Sequence, residues 1–449
     1  MPEVLPFRGL RYAASRPPAL SRLIAPPYDA VSPALRDALA ARSPQNVIHV
    51  TLGQDLPGDG PAENRYVRAA RLLASWRDDG TVRQDPEPSM YALEQSFTGP
   101  DGRQRVRRGI TVACRLHAYG EGLVLPHEKT LSAPRRDRLE LLKNIQANLS
   151  PVFALFPDER GDGVRAVEAA IEASGEPASE ADSDDGTHHR LWRVTDRAAI
   201  AAVHRVAAER TLVIADGHHR YESALAYRDL VDAERPGLPA NAGHRFVLVT
   251  LCSMADPGLF VYPTHRLLSG VAALDLPRLV EGLARFFHVE TLREDLRRAA
   301  GRAWAVAKLA EHAGRSTTFV MVSAADAKGR ILTLRDDADM SGVPLPENVT
   351  LRDLDVTVLH AIVFQHLLGL SPGSQEQGEN LRYEMDAGEV VNRTLAGEFQ
   401  LGFLVNPTPM WQVEALAEAG ETMPQKSTFF FPKVASGLVM RRIDEPVGS

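Results

Sequence analysis

The chain has 449 residues, of which 44% are hydrophobic and 24% are charged, an ordinary balance for a globular protein. Its 51 basic and 58 acidic residues give a net charge of −7, which argues against a general nucleic-acid binder, because such proteins normally carry a basic surplus. No run approaches the ~18 apolar residues of a membrane span, and the N-terminus lacks the apolar core of a signal peptide. The two distant cysteines, Cys114 and Cys252, indicate neither a disulfide framework nor a metal site. We therefore expect a cytoplasmic protein without a nucleic-acid or membrane partner, of a size for two or three domains.

The N-terminal third alternates predicted helices and strands. Ser32-Pro33 is typical of a helix start, with the serine as cap and the proline in the first helical position. Further along, the residue patterns predict a strand over Val47–Leu52, an amphipathic helix over Tyr66–Trp76, and a hairpin of Met90–Phe97 with Gly109–Leu116 around the turn Gly99–Gly102.

The middle of the chain begins with the segment Leu123–Thr130, which contains Pro126-His127-Glu128, and continues into a basic helix that starts near Arg135. A short apolar strand is predicted over Pro151–Phe156. The run Ser174–His189 is acidic and poor in apolar residues, so we expect a mobile loop there.

The clearest local pattern is Thr211–Leu230, where the apolar residues Leu212–Ala215 lead into Asp-Gly and then into helical spacing. This predicts a strand, a tight turn and a helix. The remaining chain alternates helices, such as Leu279–Phe287 and Val356–Leu370, with strands, such as Thr318–Val322 and Phe399–Val405. Because no strict strand–helix–strand rhythm appears, the predicted class is α+β.

The first candidate site is Asp216, Gly217, His218, His219 and Arg220, at the end of the predicted strand. A glycine turn that opens a helix presents free backbone N–H groups and the positive end of the helix dipole, and arginine is suited to phosphate. Asp216 can cap the helix, orient a histidine or hold Mg²⁺. The plainer alternative is a capped helix with two surface histidines. Zinc is disfavoured, because adjacent residues at a helix start point in different directions.

Two weaker candidates lie far from the first. In Pro126-His127-Glu128 a carboxylate can act as general base toward an alcohol, and the alternative is a capping glutamate before a helix. In Lys426-Ser427-Thr428 an amine and two hydroxyls can bind phosphate or carboxylate, and the alternative is a solvated loop before the aromatic run that ends at Lys433. Neither a P-loop nor a dinucleotide-binding glycine motif occurs.

These segments together resemble a bacterial family of unknown function almost from end to end. The resemblance lies in PPYDAVSP (Pro26–Pro33), VLPHEKT with DRLELLKNIQANLSPVF, IADGHHRYESAL, DPGLFVYPTHR (Asp256–Arg266) and MPQKSTFFFPKVASGLV (Met423–Val439). Three of the pieces also resemble, in the same order, the PHE, DGHHR and PK-T-T segments of the free L-serine kinases of archaea, whose fold is ParB/sulfiredoxin-like.

This second resemblance implies a serine kinase-like phosphotransferase. It implies Glu128 as catalytic base assisted by His218, and Asp216–Arg220 as the phosphate and nucleotide site, with Asp216 holding Mg²⁺. It also implies substrate contacts from His127, Lys426, Ser427 and Thr428. The spacing departs from the kinases, since more sequence separates PHE from DGHHR, and QKST replaces PKTT. The base pocket of the nucleotide is therefore not transferable, and the phosphate partner stays open among ADP, ATP, pyrophosphate or none.

The predicted organisation is an N-terminal α+β region over 1–120, a ParB/sulfiredoxin-like core over 121–270, and a C-terminal α+β region over 271–449 that returns Lys426–Thr428 to the site. The sequence does not fix the direction of the reaction or the oligomeric state. Two other functions stay open: hydrolysis of O-phosphoserine without a nucleotide, and a nucleotide-binding regulatory role like that of ParB proteins.

Overall fold

The computed structural model describes residues 1–128, 132–376 and 379–448. They pack as two units, each with its own core. Unit 1 takes the described residues within 1–126, 130–260 and 432–449, and unit 2 those within 127–129 and 261–431. The predicted mixture of helices and strands is confirmed, whereas the ParB/sulfiredoxin-like core and the three-region division stay predictions. No helix in the described ranges is long and apolar enough to cross a membrane.

The centre of unit 1 is a nine-stranded sheet that combines parallel and antiparallel pairs. Its strands lie in the order Val124–Pro126, Leu212–Asp216, Val152–Phe156, Phe246–Ser253, Gln104–Arg115, Met90–Thr98, His188–Val194 and Ser179–Asp182, with Val4–Leu5 paired to Gln104–Arg115. A four-stranded sheet joins Val82–Gln84, Gly9–Tyr12, Met440–Arg442 and Ala147–Asn148. The described residues 432–448 therefore belong to unit 1 although they follow unit 2 in sequence.

The helices of unit 1 are Pro33–Arg42, Ile48–Thr51, Arg65–Asp78, Ser132–Ile145, Asp162–Ser174, Arg197–Ala208 and His218–Glu234, with 3₁₀ turns at Leu20–Arg22, Tyr28–Ala30, Tyr119–Glu121 and Gly243–Arg245. Asp162–Ser174, Arg197–Ala208 and His218–Glu234 contact strands of the large sheet, whereas Arg65–Asp78 packs against Ser132–Ile145. Tyr221 and Ala224 of the helix after Asp216 pack into the same core as Ile214 and Val249 of the sheet. The strand, turn and helix predicted for Thr211–Leu230 are confirmed.

Unit 2 is built on a six-stranded sheet with helices against it. Its strands lie in the order Phe287–Thr291, Gly329–Leu334, Thr318–Ser323, Leu401–Leu404, His265–Leu268 and Leu381–Glu384. Because side chains alternate along a strand, Phe319 and Met321 enter one apolar cluster while Val320 and Val322 enter another. The helices are Leu276–Phe286, Ala299–Glu311, Val349–Arg352, Asp355–Val358, Pro372–Glu376, Ala387–Leu395 and Met410–Glu418, and a π-helix runs over Leu359–Leu367.

Most of the local predictions hold, and two are wrong. Ser32 caps the helix that begins at Pro33, and the predicted hairpin pairs Tyr91 with Thr111. The predicted strand Val47–Leu52 is instead a four-residue helix, Ile48–Thr51, whose start is fixed by the Asn46 side chain accepting from Ile48 N–H at 2.9 Å. The predicted mobile loop Ser174–His189 contains the edge strand Ser179–Asp182.

Candidate functional site

The strand Leu212–Asp216 ends in a turn that only glycine fits well. Gly217 has φ +91°, and a Cβ on it would lie 2.8 Å from the Arg220 guanidinium. The helix His218–Glu234 starts directly after it, and no side chain caps its first N–H groups. Such a helix start attracts anions through its free amides and its dipole. We call Asp216–Arg220 the anion turn.

Asp216 is held between two cations in the core of the turn. Lys433 Nζ donates to its Oδ1, and Arg220 Nη2 donates to its Oδ2 at 2.5 Å. Burial by itself favours the neutral acid, but the attraction of Lys433 and Arg220 outweighs it and holds the Asp216 pKa well below its usual range. Asp216 is therefore an ionised ion-pair partner and is not the cap of the helix.

Arg220 is anchored on several sides. Its Nη1 donates to Ser150 Oγ at 2.8 Å and to the carbonyl of Pro151. Its Nε is buried and has no hydrogen-bond partner among the described residues. Because Ser150 and Pro151 precede the neighbouring strand Val152–Phe156, the guanidinium is fixed by the sheet edge and not only by its own helix.

Lys433 is a residue of this site that was not predicted from the sequence. The lysine predicted in the same segment was Lys426. The backbone around Lys433 is held by polar side chains of unit 1. Gln95 Nε2 donates to its carbonyl at 3.1 Å, and the buried Arg107 donates to the carbonyl of Pro432. The sequence signal for Lys433 was a lysine two residues after the aromatic strand Phe429–Phe431, but its partner Asp216 is revealed only by long-range folding.

The charge balance of the anion turn favours a bound anion. Lys433 and Arg220 together outweigh the one carboxylate of Asp216, and the positive field of His218 further stabilises that carboxylate. His218 is buried at the helix start and His219 is half-buried beside it. Cations and free amides that converge on one point are the usual means of holding phosphate.

Mg²⁺ at Asp216 does not fit this arrangement. Both oxygens of the carboxylate already accept from cations, which would repel a divalent ion. Across residues 1–128, 132–376 and 379–448, no group of three or more His, Cys, Asp or Glu side chains is placed to hold a metal. The positive charge offered to an anion here comes from the protein's own side chains.

Glu128 and the segment Met423–Thr428 come together in unit 2. Met423 N–H donates to the His127 carbonyl at 2.8 Å, and Glu128 forms a parallel β-bridge with Met423. Lys426 N–H then donates to Glu128 Oε1 at 3.2 Å. One carboxylate oxygen of the predicted base is thus oriented by a backbone amide. We call His127, Glu128, Met423, Lys426 and Thr428 the Glu128 cluster.

The hydroxyls of Ser427 and Thr428 are engaged in hydrogen bonds within unit 2. Thr428 Oγ1 and His127 Nε2 are hydrogen-bonded at 2.8 Å, and Ser427 Oγ donates to the Pro424 carbonyl at 2.6 Å. The side chain of Lys426 is exposed, whereas Ser427 and Thr428 are buried. Substrate contacts by these three residues stay a prediction; Lys129 and Thr130 of the same predicted segment lie outside the described residues.

A fully buried arginine fixes the backbone of Lys426. Arg266 Nη2 donates to the Lys426 carbonyl at 3.1 Å, and its Nη1 donates to the carbonyl of Thr264. Lys426 has φ +57°, a left-handed conformation that costs a residue with a Cβ of order 1 kcal/mol or more. The peptide of Lys426 therefore connects Arg266 on its carbonyl side with Glu128 on its amide side.

The strands that precede the two sequence motifs are neighbours in the sheet of unit 1. Val124–Pro126 runs parallel to Leu212–Asp216, with Pro126 beside Ile214. The carboxyl ends of parallel strands meet at one edge of a sheet, and ligand sites of α/β proteins concentrate at such edges. His127-Glu128 and the anion turn therefore each follow in sequence after a strand that ends at this edge of the sheet of unit 1.

Comparison with known proteins gives one family and several distant structures. Free serine kinase in complex with AMP is 13% identical, with a TM-score of 0.34, over 72% of this chain and 86% of that chain. A conserved hypothetical protein from Pyrococcus furiosus is 14% identical, with a TM-score of 0.32, over 73% and 92%. At these TM-scores the likeness fixes neither the fold nor the activity of this chain.

A search among curated proteins gave no match. The model of the family described as "Protein of unknown function (DUF1015)" matches residues 4–357, more than half of the sequence. The chain therefore belongs to the DUF1015 family.

Proposed function

We propose that this protein is a phosphotransferase that moves a phosphoryl group to or from the hydroxyl of free serine, with O-phosphoserine as the phosphorylated form. The observation that carries the proposal is the anion turn, where Lys433 and Arg220 meet an uncapped helix start. Serine as the substrate follows from the order of the PHE, DGHHR and QKST segments, which resembles that of free serine kinases.

In the phosphorylating direction the proposed roles divide between the two clusters. The anion turn holds the phosphoryl group, and Glu128 accepts the proton of the serine hydroxyl as its oxygen attacks phosphorus. The bond to the donor's leaving oxygen breaks as the new P–O bond forms. Arg220 and Lys433 offset the negative charge that spreads over the transferring group, and His218 is placed to add to that field.

In the opposite direction the same residues release serine. An acceptor oxygen attacks the phosphorus of O-phosphoserine, the serine oxygen leaves, and protonated Glu128 returns the proton to it. The residues are equally suited to both directions, so the concentrations of the reactants decide which one prevails.

For the phosphate partner we propose ADP or ATP, with pyrophosphate as the alternative, by the same resemblance. None of the proposed steps requires Mg²⁺ at Asp216, because both oxygens of that carboxylate are already paired with Lys433 and Arg220. A cavity of about 60 Å³ beside Arg220 holds only a few water molecules, so it leaves no room for a nucleotide base in this conformation.

The test is a screen of the purified protein with O-phosphoserine and one acceptor at a time: ADP, AMP, pyrophosphate or buffer alone, with and without added Mg²⁺. Serine is measured as the product. Release that requires one acceptor supports phosphotransfer and identifies that acceptor. Release in buffer alone identifies a phosphatase, and no release under any condition overturns the proposal.

A further inference from the structure

Unit 2 contains a cavity of about 250 Å³, close to the lower end of the size range of small-molecule pockets. It lies against the helix that runs from Asp355 through the π-helical stretch Leu359–Leu367. Its walls are formed by Pro344, Pro346, Leu351, Thr357, His360, Ala361, Gln365, Pro372, Gln375, Tyr383, Thr422, Met423, Pro424 and Gln425. π-helical turns are rare and are found frequently at functional sites.

One polar group on this cavity is buried and has no hydrogen-bond partner among the described residues. It is the hydroxyl of Thr357, a residue that is only 7% exposed. The side chains of Gln365, Thr422 and Gln425 are half-buried on the same walls. A buried polar group without a partner is unfavourable, so the Thr357 hydroxyl indicates a polar ligand, to which the two amides offer both donors and acceptors.

The described part of the cavity wall carries no charged side chain. None of the lining residues that the structure describes is Asp, Glu, Lys or Arg, although these make up 24% of the chain. Its one titratable imidazole stays neutral, since burial, with the nearby Arg266, lowers the His360 pKa to about 3. An ammonium or carboxylate placed here would lose its water without gaining an opposite charge.

A chain of hydrogen bonds fixes the imidazole that faces this wall. Arg266 Nε donates to His360 Nε2 at 3.4 Å, which leaves the ring proton on Nδ1. His360 is also hydrogen-bonded to Gln375, whose amide donates to the Leu370 carbonyl at 3.2 Å. The wall is therefore rigid as well as neutral, and its donor and acceptor positions are set before any ligand arrives.

The rest of the wall is flat and apolar. Four prolines, the Tyr383 ring and Met423 offer surfaces on which a planar ring can lie. A polyol has no flat apolar face to match them, and a zwitterionic amino acid brings two charges. We propose that this cavity binds an uncharged heterocycle of the nucleobase class, with the amides of Gln365 and Gln425 and the Thr357 hydroxyl reading its edge.

The experiment is calorimetric titration of the full chain with adenosine, guanosine, cytidine and uridine, which carry no phosphate for the anion turn. Serine and inositol serve as zwitterionic and polyol probes. We expect at least one nucleoside to bind with a Kd below about 1 mM. Gln365→Leu, which keeps the volume and removes the amide, should weaken that binding at least tenfold. Gln54→Leu, an exposed glutamine of unit 1, should leave it unchanged.

Three results would overturn the inference. The first is that no nucleoside binds with a Kd below about 1 mM. The second is that a nucleoside binds but both Gln365→Leu and the rim substitution Pro344→Trp leave its affinity unchanged. The third is that serine or inositol competes with the nucleoside for the cavity. If Gln365→Leu does not fold, Gln425→Leu on the loop provides the same comparison. Arg220→Ala should retain nucleoside binding, so failure of phosphotransfer and failure of this inference are separable.

Discussion

Lys433 forms an ion pair with Asp216 across a sequence separation of 217 residues, and that pair completes the anion turn. Asp216 Oδ1 accepts a hydrogen bond from Lys433 and Oδ2 accepts one from Arg220, so a single carboxylate orients both cations. The carboxylate offsets the repulsion between the two cations, and this arrangement supports the proposal that the turn binds a phosphate.

Removing the lysine tests this assignment. Lys433→Met should weaken the binding of inorganic pyrophosphate by roughly tenfold to a hundredfold, equivalent to about 1.4–2.8 kcal/mol. Calorimetric titration measures the effect. Lys143→Met, which removes a half-buried lysine of unit 1 paired with Glu140, is the matched control and should leave the affinity unchanged. Equal affinities for wild type and Lys433→Met would show that the lysine does not serve the anion.

Asp216 should also contribute to stability in a pH-dependent way. Its folded pKa is below the ordinary value of 3.8, so the contribution is fully present above about pH 4 and decreases as the pH falls toward the folded pKa. Asp216→Asn leaves two half-buried cations without their carboxylate and should lower the free energy of unfolding by about 3 kcal/mol at pH 7.

Urea denaturation of both proteins at several pH values measures this difference. The gap between wild type and Asp216→Asn should narrow below pH 4. Asp229→Asn, on the same helix but exposed, is the control and should change stability by less than about 0.5 kcal/mol. A gap that stays constant down to pH 2.5 would contradict the predicted sign.

Arg266 should act on turnover through the peptide of Lys426. Arg266→Met removes the donor to the Lys426 carbonyl and a cation that interacts electrostatically with Glu128. We expect kcat to fall at least tenfold and the acidic limb of the pH–rate profile to move to higher pH, with pyrophosphate affinity unchanged. Arg266→Lys should restore part of the rate. An unshifted pH profile would leave Arg266 with a purely structural role.

A second stability effect is expected in unit 2. Burial raises the Asp355 pKa to about 6, despite an opposing hydrogen bond with Thr317. The ionised form is therefore penalised in the folded state: stability is highest below pH 4 and decreases as the pH rises through 6. Asp355→Asn should increase the free energy of unfolding by roughly 2 kcal/mol at pH 7 and by nothing at pH 4. Destabilisation at pH 7 would show that the Thr317 hydrogen bond dominates.

The sequence predicted those features that depend on neighbours in the chain. The turn at Gly217 follows from four apolar residues, an Asp-Gly pair and helical spacing, all within twenty residues. The prediction that this turn binds an anion rests on the same local facts. Glu128 and Lys426 were each predicted as site residues, and the Lys426 amide contacts the Glu128 carboxylate, while their roles toward a substrate stay predictions.

Features that depend on contacts between residues distant in sequence could not be predicted from local patterns. Lys433 reaches Asp216 only because residues 432–449 return to the first unit, which no local pattern encodes. Val47–Leu52 has strand composition because Ile48, Val50 and Thr51 are all buried, and burial on all sides hides helical periodicity. Ser179–Asp182 looks disordered because an edge strand with one solvated face carries the charges expected of a loop.

The most direct test of the central claim compares wild type with Glu128→Gln in the serine-release assay, using O-phosphoserine and the acceptor that the screen identifies. The substitution keeps the shape of the side chain and its bond from the Lys426 amide, but it cannot carry the proton. Phosphotransfer with Glu128 as base predicts at least a thousandfold loss of kcat, pyrophosphate affinity within threefold of wild type, and full activity for the exposed control Glu311→Gln. Full activity of Glu128→Gln would contradict the account.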